Sequence, residues 1–174
     1  MNILSLKIAS MIKQANPEET GSIEVMQYAL NIILNSLLII ALSLLIGWTT
    51  GHFADTALAL LSFALLRVLS GGRHLPNAFS CNLFSIALCS LIPQITFLFR
   101  DHVGIINLIS LLLMLLYAPA PDVNARIPLR WYPRMKLLAV LTVGLNFFLL
   151  SPVIGLTFLA QSLTVISWRR RKQT

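Results

Sequence analysis

Long apolar runs without charge dominate this chain. Residues 25–48 hold no Asp, Glu, Lys or Arg, and only Gln27, Asn31, Asn35, Ser36 and Ser43 break the run as small polar guests. Further runs cover 53–69, with Asp55 and Arg67 near its ends, 81–99, which carries Pro93, and then 103–117, 135–150 and 153–168. A helix needs about 20 apolar residues to cross a bilayer core. Turn residues separate the runs, Thr49-Thr50-Gly51-His52 after the first and Ser151-Pro152 before the last. The pattern predicts about six transmembrane helices. Ahead of them, Ile3, Leu4, Ile8, Met11 and Ile12 recur near helical spacing, with Lys7, Ser10, Lys13 and Gln14 between. That pattern over 1–16 fits an amphipathic helix lying on the membrane surface. It lacks the long apolar core and small-residue cleavage site of a secretory signal. The expected fold is an all-α integral membrane protein with an N-terminal interfacial helix, organised as a single membrane-embedded domain over 1–174.

Composition points the same way. Of 174 residues, 57% are hydrophobic and 11% charged, whereas soluble domains carry about 25% charged residues. A soluble globule would have too few ionisable groups to cover its surface. The net charge of +7 would suggest nucleic-acid binding in a soluble chain, but the placement of the charges argues otherwise. With six spans, Lys7, Lys13, Arg67, Arg73, Arg126, Arg130, Arg134, Lys136 and the run 169–172 share one side, and Arg100 alone falls on the other. Cytoplasmic loops collect Lys and Arg. Both termini, the loop 67–81 and the basic loop 118–136 are therefore expected in the cytoplasm. The basic residues serve orientation and anionic lipid, with no nucleic-acid partner. Two cysteines, Cys81 and Cys89, are too few for a disulfide scaffold, and the histidines near them too few for structural zinc. No metal or cofactor is expected.

Candidate chemistry concentrates in one cytoplasmic loop, Arg67-Val-Leu-Ser-Gly-Gly-Arg-His-Leu-Pro-Asn-Ala-Phe-Ser-Cys81. A cysteine hydrolase needs a thiolate nucleophile and an imidazole that takes its proton and returns it to the leaving group. His74 and Cys81 can fill those roles. Gly71-Gly72 permits a tight turn and Pro76 suits the first turn of a following helix, which puts Cys81 near that helix's start. A helix already begun at His74 would set both side chains on one face, seven residues being two turns. The alternative is ordinary loop punctuation, a solvated His and a packing Cys.

The elements Arg67, Gly71-Gly72-Arg73-His74 and Cys81 resemble the accessory gene regulator B (AgrB-like) family, whose members show a basic residue, a Gly-x-His element and a Cys seven residues beyond the His. Tyr117-Ala-Pro-Ala-Pro-Asp-Val-Asn-Ala-Arg-Ile-Pro128 is similar to that family's Tyr-Ala-Pro element and the Ile-Pro that follows it. The resemblance implies a bacterial, multi-pass membrane cysteine endopeptidase that cleaves a short AgrD-like precursor peptide on the cytoplasmic side. The acyl-enzyme thioester is then attacked by a side chain of the peptide itself, giving a cyclic quorum-sensing autoinducer. Carried over by position, Cys81 is the nucleophile, His74 the general base, and Arg67 and Gly72 are supporting residues.

Weaker candidates complete the reading. Gln27, Asn31 and Asn35 form a polar stripe that either lines a peptide groove or dimer contact or simply bonds to neighbouring helices. Arg126, Arg130, Arg134 and Lys136 are candidates for holding an acidic peptide tail, with topology as the plainer reason for their charge. Asn77 or Asn82 is a candidate for orienting His74, Asp122 for pairing with Arg126 or Arg130, and Cys89 for packing. Gly47 and Gly51 have helix-contact spacing, with turn formation as the preferred reason. A homodimer is compatible with a small membrane enzyme. Competing functions are a small-peptide transporter and a noncatalytic membrane scaffold.

Overall fold

The computed structural model describes residues 2–72, 77–120 and 128–166. Among them the regular elements are all helical: α1 (Asn2–Ala15), α2 (Ile23–Thr49), α3 (Phe53–Ser70), α4 (Ala78–Ile95), α5 (Val103–Tyr117), α6 (Tyr132–Leu149) and α7 (Pro152–Ile166). Short 3-10 segments occupy Thr96–His102 and Leu129–Trp131. The chain divides into two compact units, Met1–Leu42 and Ser43–Thr174, with the boundary inside α2.

In the first unit, α1 occupies almost the whole of the expected surface helix, with Ile3 and Met11 exposed. Its end is tied down locally: Lys13 Nζ donates to the carbonyls of Pro17 at 2.7 Å and Thr20 at 2.8 Å. Gln27 Nε2 donates to the Asn2 carbonyl at 3.4 Å. The large apolar side chains of α2, among them Val25, Ile32, Ile33 and Leu37, are exposed, as expected of a helix whose solvent is lipid.

The second unit is built around α7. Nine of its fifteen residues are buried, and it packs against α3, α4, α5 and α6. One core cluster joins Leu66, Met114, Ala139, Val143 and Phe158 with Ala118 and Ala120 of the Tyr-Ala-Pro element. The other joins Ala59, Phe63, Cys89, Ile92, Ile106 and Leu156, so Cys89 is a packing residue. The turn between α6 and α7 is closed by amides: Asn146 Nδ2 donates to Asn107 Oδ1 at 2.8 Å, and the Ser151 amide donates to Asn146 Oδ1 at 3.1 Å.

Three helical stretches are long and apolar enough to cross a membrane: α2, α3 and the continuous 39-residue stretch Phe79–Tyr117. Among the described residues six separate spans of that size are not seen. The run expected over 81–99 stops being α-helical at Ile95, two residues after Pro93, which sits inside the helix. Chain then continues as the 3-10 segment into α5. The helix α7 has only fifteen residues, and α6 opens with Arg134 and Lys136 inside its first turns.

The two glycines near the first turn act for different reasons. Gly51 has φ 76 and makes the turn, as expected. Gly47 is instead a close-approach residue: an added Cβ would meet Thr56 Oγ1 and lie 2.7 Å from Thr56 Cβ. Here packing of α2 on α3, not turn formation, requires the glycine.

Candidate active site

The carboxyl end of α3 organises the site. Gly71 caps the helix at φ 70, its amide donating to the Arg67 carbonyl at 2.9 Å. Past this cap the chain is extended and meets the Tyr-Ala-Pro element in a parallel bridge between Gly71 and Ala120. The Gly72 amide donates to the Ala120 carbonyl at 2.8 Å, and the Ala120 amide donates to the Ser70 carbonyl at 2.8 Å. Two segments that the sequence keeps far apart are thus joined backbone to backbone. The bridge satisfies polar groups that burial would otherwise leave unpaired.

Gly72 is required twice over. Its φ of 128 lies in a region that L side chains rarely adopt, and a Cβ would lie 2.6 Å from Thr164 Oγ1 and 3.3 Å from Gln161 Nε2. Arg67 stands beside it: the guanidinium lies 5.7 Å from the Phe63 ring centroid, and Nη1 donates to Gln161 Oε1 at 3.4 Å. Gln161, on α7, is fully buried. Its Nε2 donates to the Gly71 carbonyl at 2.7 Å and to Ser70 Oγ at 3.1 Å.

Cys81 lies on the first turn of α4 and is half-buried; neither it nor Cys89 is in a disulfide. The helix begins at Ala78 because Asn77 is extended, at φ −136 and ψ 150. A helix running unbroken through Asn77 to Cys81, the condition for the shared face expected above, is therefore not formed. His74, Arg73, Asp122 and Arg126 lie outside the described residues. Asn77 is exposed and makes no side-chain cap, whereas Asn82 is half-buried.

Of the basic candidates among the described residues, Lys136 shares a cavity with Ala120 of the bridge. It lines this cavity of about 140 Å³ with residues 116–120 and Val165. Arg130 and Arg134 are exposed, and the Arg134 guanidinium stacks 4.9 Å from the Trp131 ring centroid. Gln27 belongs to the first unit. Asp55 lies 3.8 Å from His52 Nδ1, three residues away. Among the described residues no group of three or more His, Cys, Asp or Glu side chains is placed to hold a metal ion.

Gln161, Ser70 and Thr164 were not singled out by sequence reasoning. The available signal was an amide inside an otherwise apolar run, which in a membrane segment marks a groove, a partner or a site.

The profile of the accessory gene regulator B family matches residues 5–168. The chain belongs to that family. A "Putative AgrB-like protein" of Halalkalibacterium halodurans is 32% identical over 148 residues, which is 84% of this chain and 75% of that protein. The "Accessory gene regulator protein B" of Staphylococcus aureus strain Newman is 32% identical over 112 residues, 63% of this chain. That alignment spans 59% of the staphylococcal protein. No solved structure matches.

Proposed function

We propose that this chain is a membrane cysteine endopeptidase that cleaves a short AgrD-like precursor peptide at the cytoplasmic face and promotes its cyclisation for quorum sensing. The observation that carries the reading is the joining of the family's two motif segments in the Gly71–Ala120 bridge, just ahead of the helix that presents Cys81.

In this reading His74 takes the Cys81 thiol proton, and the thiolate adds to the scissile carbonyl. Collapse breaks the C–N bond, and the imidazolium returns the proton to the departing amine. The acyl group stays on Cys81 as a thioester. A side-chain thiol or hydroxyl of the same peptide then attacks, releasing Cys81 and closing the ring. Tethering makes that attack intramolecular, which is worth several orders of magnitude over a free nucleophile. Lys136, beside the cavity next to the bridge, is the basic residue best placed to meet an acidic tail. The 39-residue stretch Phe79–Tyr117 is about twice the length that a bilayer core needs, so it supports two crossings and an even number of spans with both termini inside.

Coexpression with a candidate precursor encoded beside the gene tests the reading. Wild type cleaves, while Cys81→Ala and His74→Ala lose cleavage by at least about a thousandfold, as removal of a nucleophile or its base does in other hydrolases. Undiminished cleavage by Cys81→Ala would refute the nucleophile.

A further inference from the structure

The side-chain amide of Gln161 makes hydrogen bonds to α3 from within α7, and no step of the proposed chemistry employs it. It is fully buried on α7, ninety residues from the segment it holds. A primary amide offers two N–H donors and a carbonyl acceptor. Here both donors go to the α3 end, to the Gly71 carbonyl at 2.7 Å and Ser70 Oγ at 3.1 Å. The acceptor takes bonds from Thr164 Oγ1 at 3.3 Å and from Arg67 Nη1 at 3.4 Å. The alternative amide orientation would set Oε1 against the Gly71 carbonyl oxygen and Nε2 against the guanidinium, so the network fixes it. Neighbouring hydroxyls on α7 make their short bonds within their own helix: Ser162 Oγ lies 2.7 Å from the Phe158 carbonyl and 3.4 Å from the Ser110 carbonyl of α5, and Thr164 Oγ1 donates to the Gln161 carbonyl at 2.7 Å. Gln161 reaches across to α3 instead.

We infer that Gln161 is a positioning residue for the reaction: it holds the Arg67 side chain and the Ser70–Gly71 end of α3 in one arrangement, at the point from which the chain runs on into the His74 and Cys81 motif. The inference rests on the reading of Cys81 as the nucleophile. Capping the end of α3 would need only a donor to the Gly71 carbonyl. Simultaneous acceptance from Arg67 ties the backbone turn to a charged side chain that belongs to the same motif. Leu at 161 would fill much the same volume while removing the bonds that Gln161 makes to the guanidinium, to Ser70 Oγ and to the Gly71 carbonyl.

The test uses the full chain in lipid vesicles with the peptide of the adjacent precursor as substrate, counting only monodisperse protein. Gln161→Leu and Gln161→Asn, the latter one methylene too short to reach both ends, lower kcat by about tenfold or more with KM within about threefold. Arg67→Lys is measured alone and in combination. Because Gln161 and Arg67 act as one unit, the double variant Gln161→Leu/Arg67→Lys is no slower than about twice the worse single variant. Wild-type kcat in Gln161→Leu, or losses that multiply in the double variant, overturns the positioning role. Cys81→Ala, run in parallel, separates the two claims. If it still cleaves, the nucleophile reading falls; if it is inactive while Gln161→Leu is fully active, only the role of Gln161 falls.

Discussion

Gly72 shows how one residue can be both motif and structural necessity. Its positive φ and the nearness of Thr164 and Gln161 leave no room for a side chain. Gly72→Ala is therefore expected to destabilise the folded chain by about 1–3 kcal/mol, read as a lowered melting temperature in detergent. Thr164→Ala should not restore it, because removing the clash leaves the dihedral strain. Full rescue by Thr164→Ala would show that space alone was at stake. The importance of this glycine was visible in the sequence as part of a Gly-Gly pair. Its reason was not, because neither the sign of φ nor the neighbour from α7 is written locally.

At the scale of elements, polar side chains inside apolar helices decide how the helices meet. Asn107 and Asn146 bond to one another and to the α6–α7 turn, where Leu150 takes a left-handed conformation at φ 48. Asn146→Leu keeps the backbone carbonyl that Asn107 Nδ2 donates to but leaves Asn107 Oδ1 and the Ser151 backbone without the Asn146 side chain, and should cost about 1–3 kcal/mol. Thermal unfolding in micelles checks this, and an unchanged melting point would refute it. The contact of α2 with α3 gives a second prediction. Gly47→Ala sets a Cβ 2.7 Å from Thr56 Cβ and should destabilise by about 1–3 kcal/mol, as overpacking does. Thr56→Gly in the same chain relieves the contact, whereas Thr56→Ala leaves the offending carbon in place. Stability equal to wild type in Gly47→Ala would show that the helices move apart freely.

Most elements were legible from hydrophobic pattern alone. The surface helix, the turn at 49–52 and the starts of the apolar helices fall within a few residues of where the runs placed them. The break after Pro93 and the shared core position of α7 did not show. Apolar runs look alike whether lipid or protein covers them, so a count of spans cannot tell a membrane-facing helix from one packed on four others.

For the whole molecule, the charge distribution makes the sharpest prediction. With an even number of spans, single cysteines placed at Lys7, Arg130 and Gln173 in a chain lacking Cys81 and Cys89 should resist an impermeant maleimide added to intact cells. A cysteine at His102 should react. Labelling at position 7 or 173 from outside would overturn the topology.

Apolarity and charge are sums along the chain that need no partner, and they determined by themselves the all-α membrane character and the helix ahead of the first long apolar run. The motif residues around His74 and Cys81 were likewise readable in order. Only the tertiary structure decided that the Gly71 and Ala120 segments pair, that Gly47 is a contact residue, and that Gln161 binds the end of α3. Each of these depends on a hydrogen-bonding or steric partner brought close by packing, and a polar group in an apolar run has no visible partner until the helices that supply it have met.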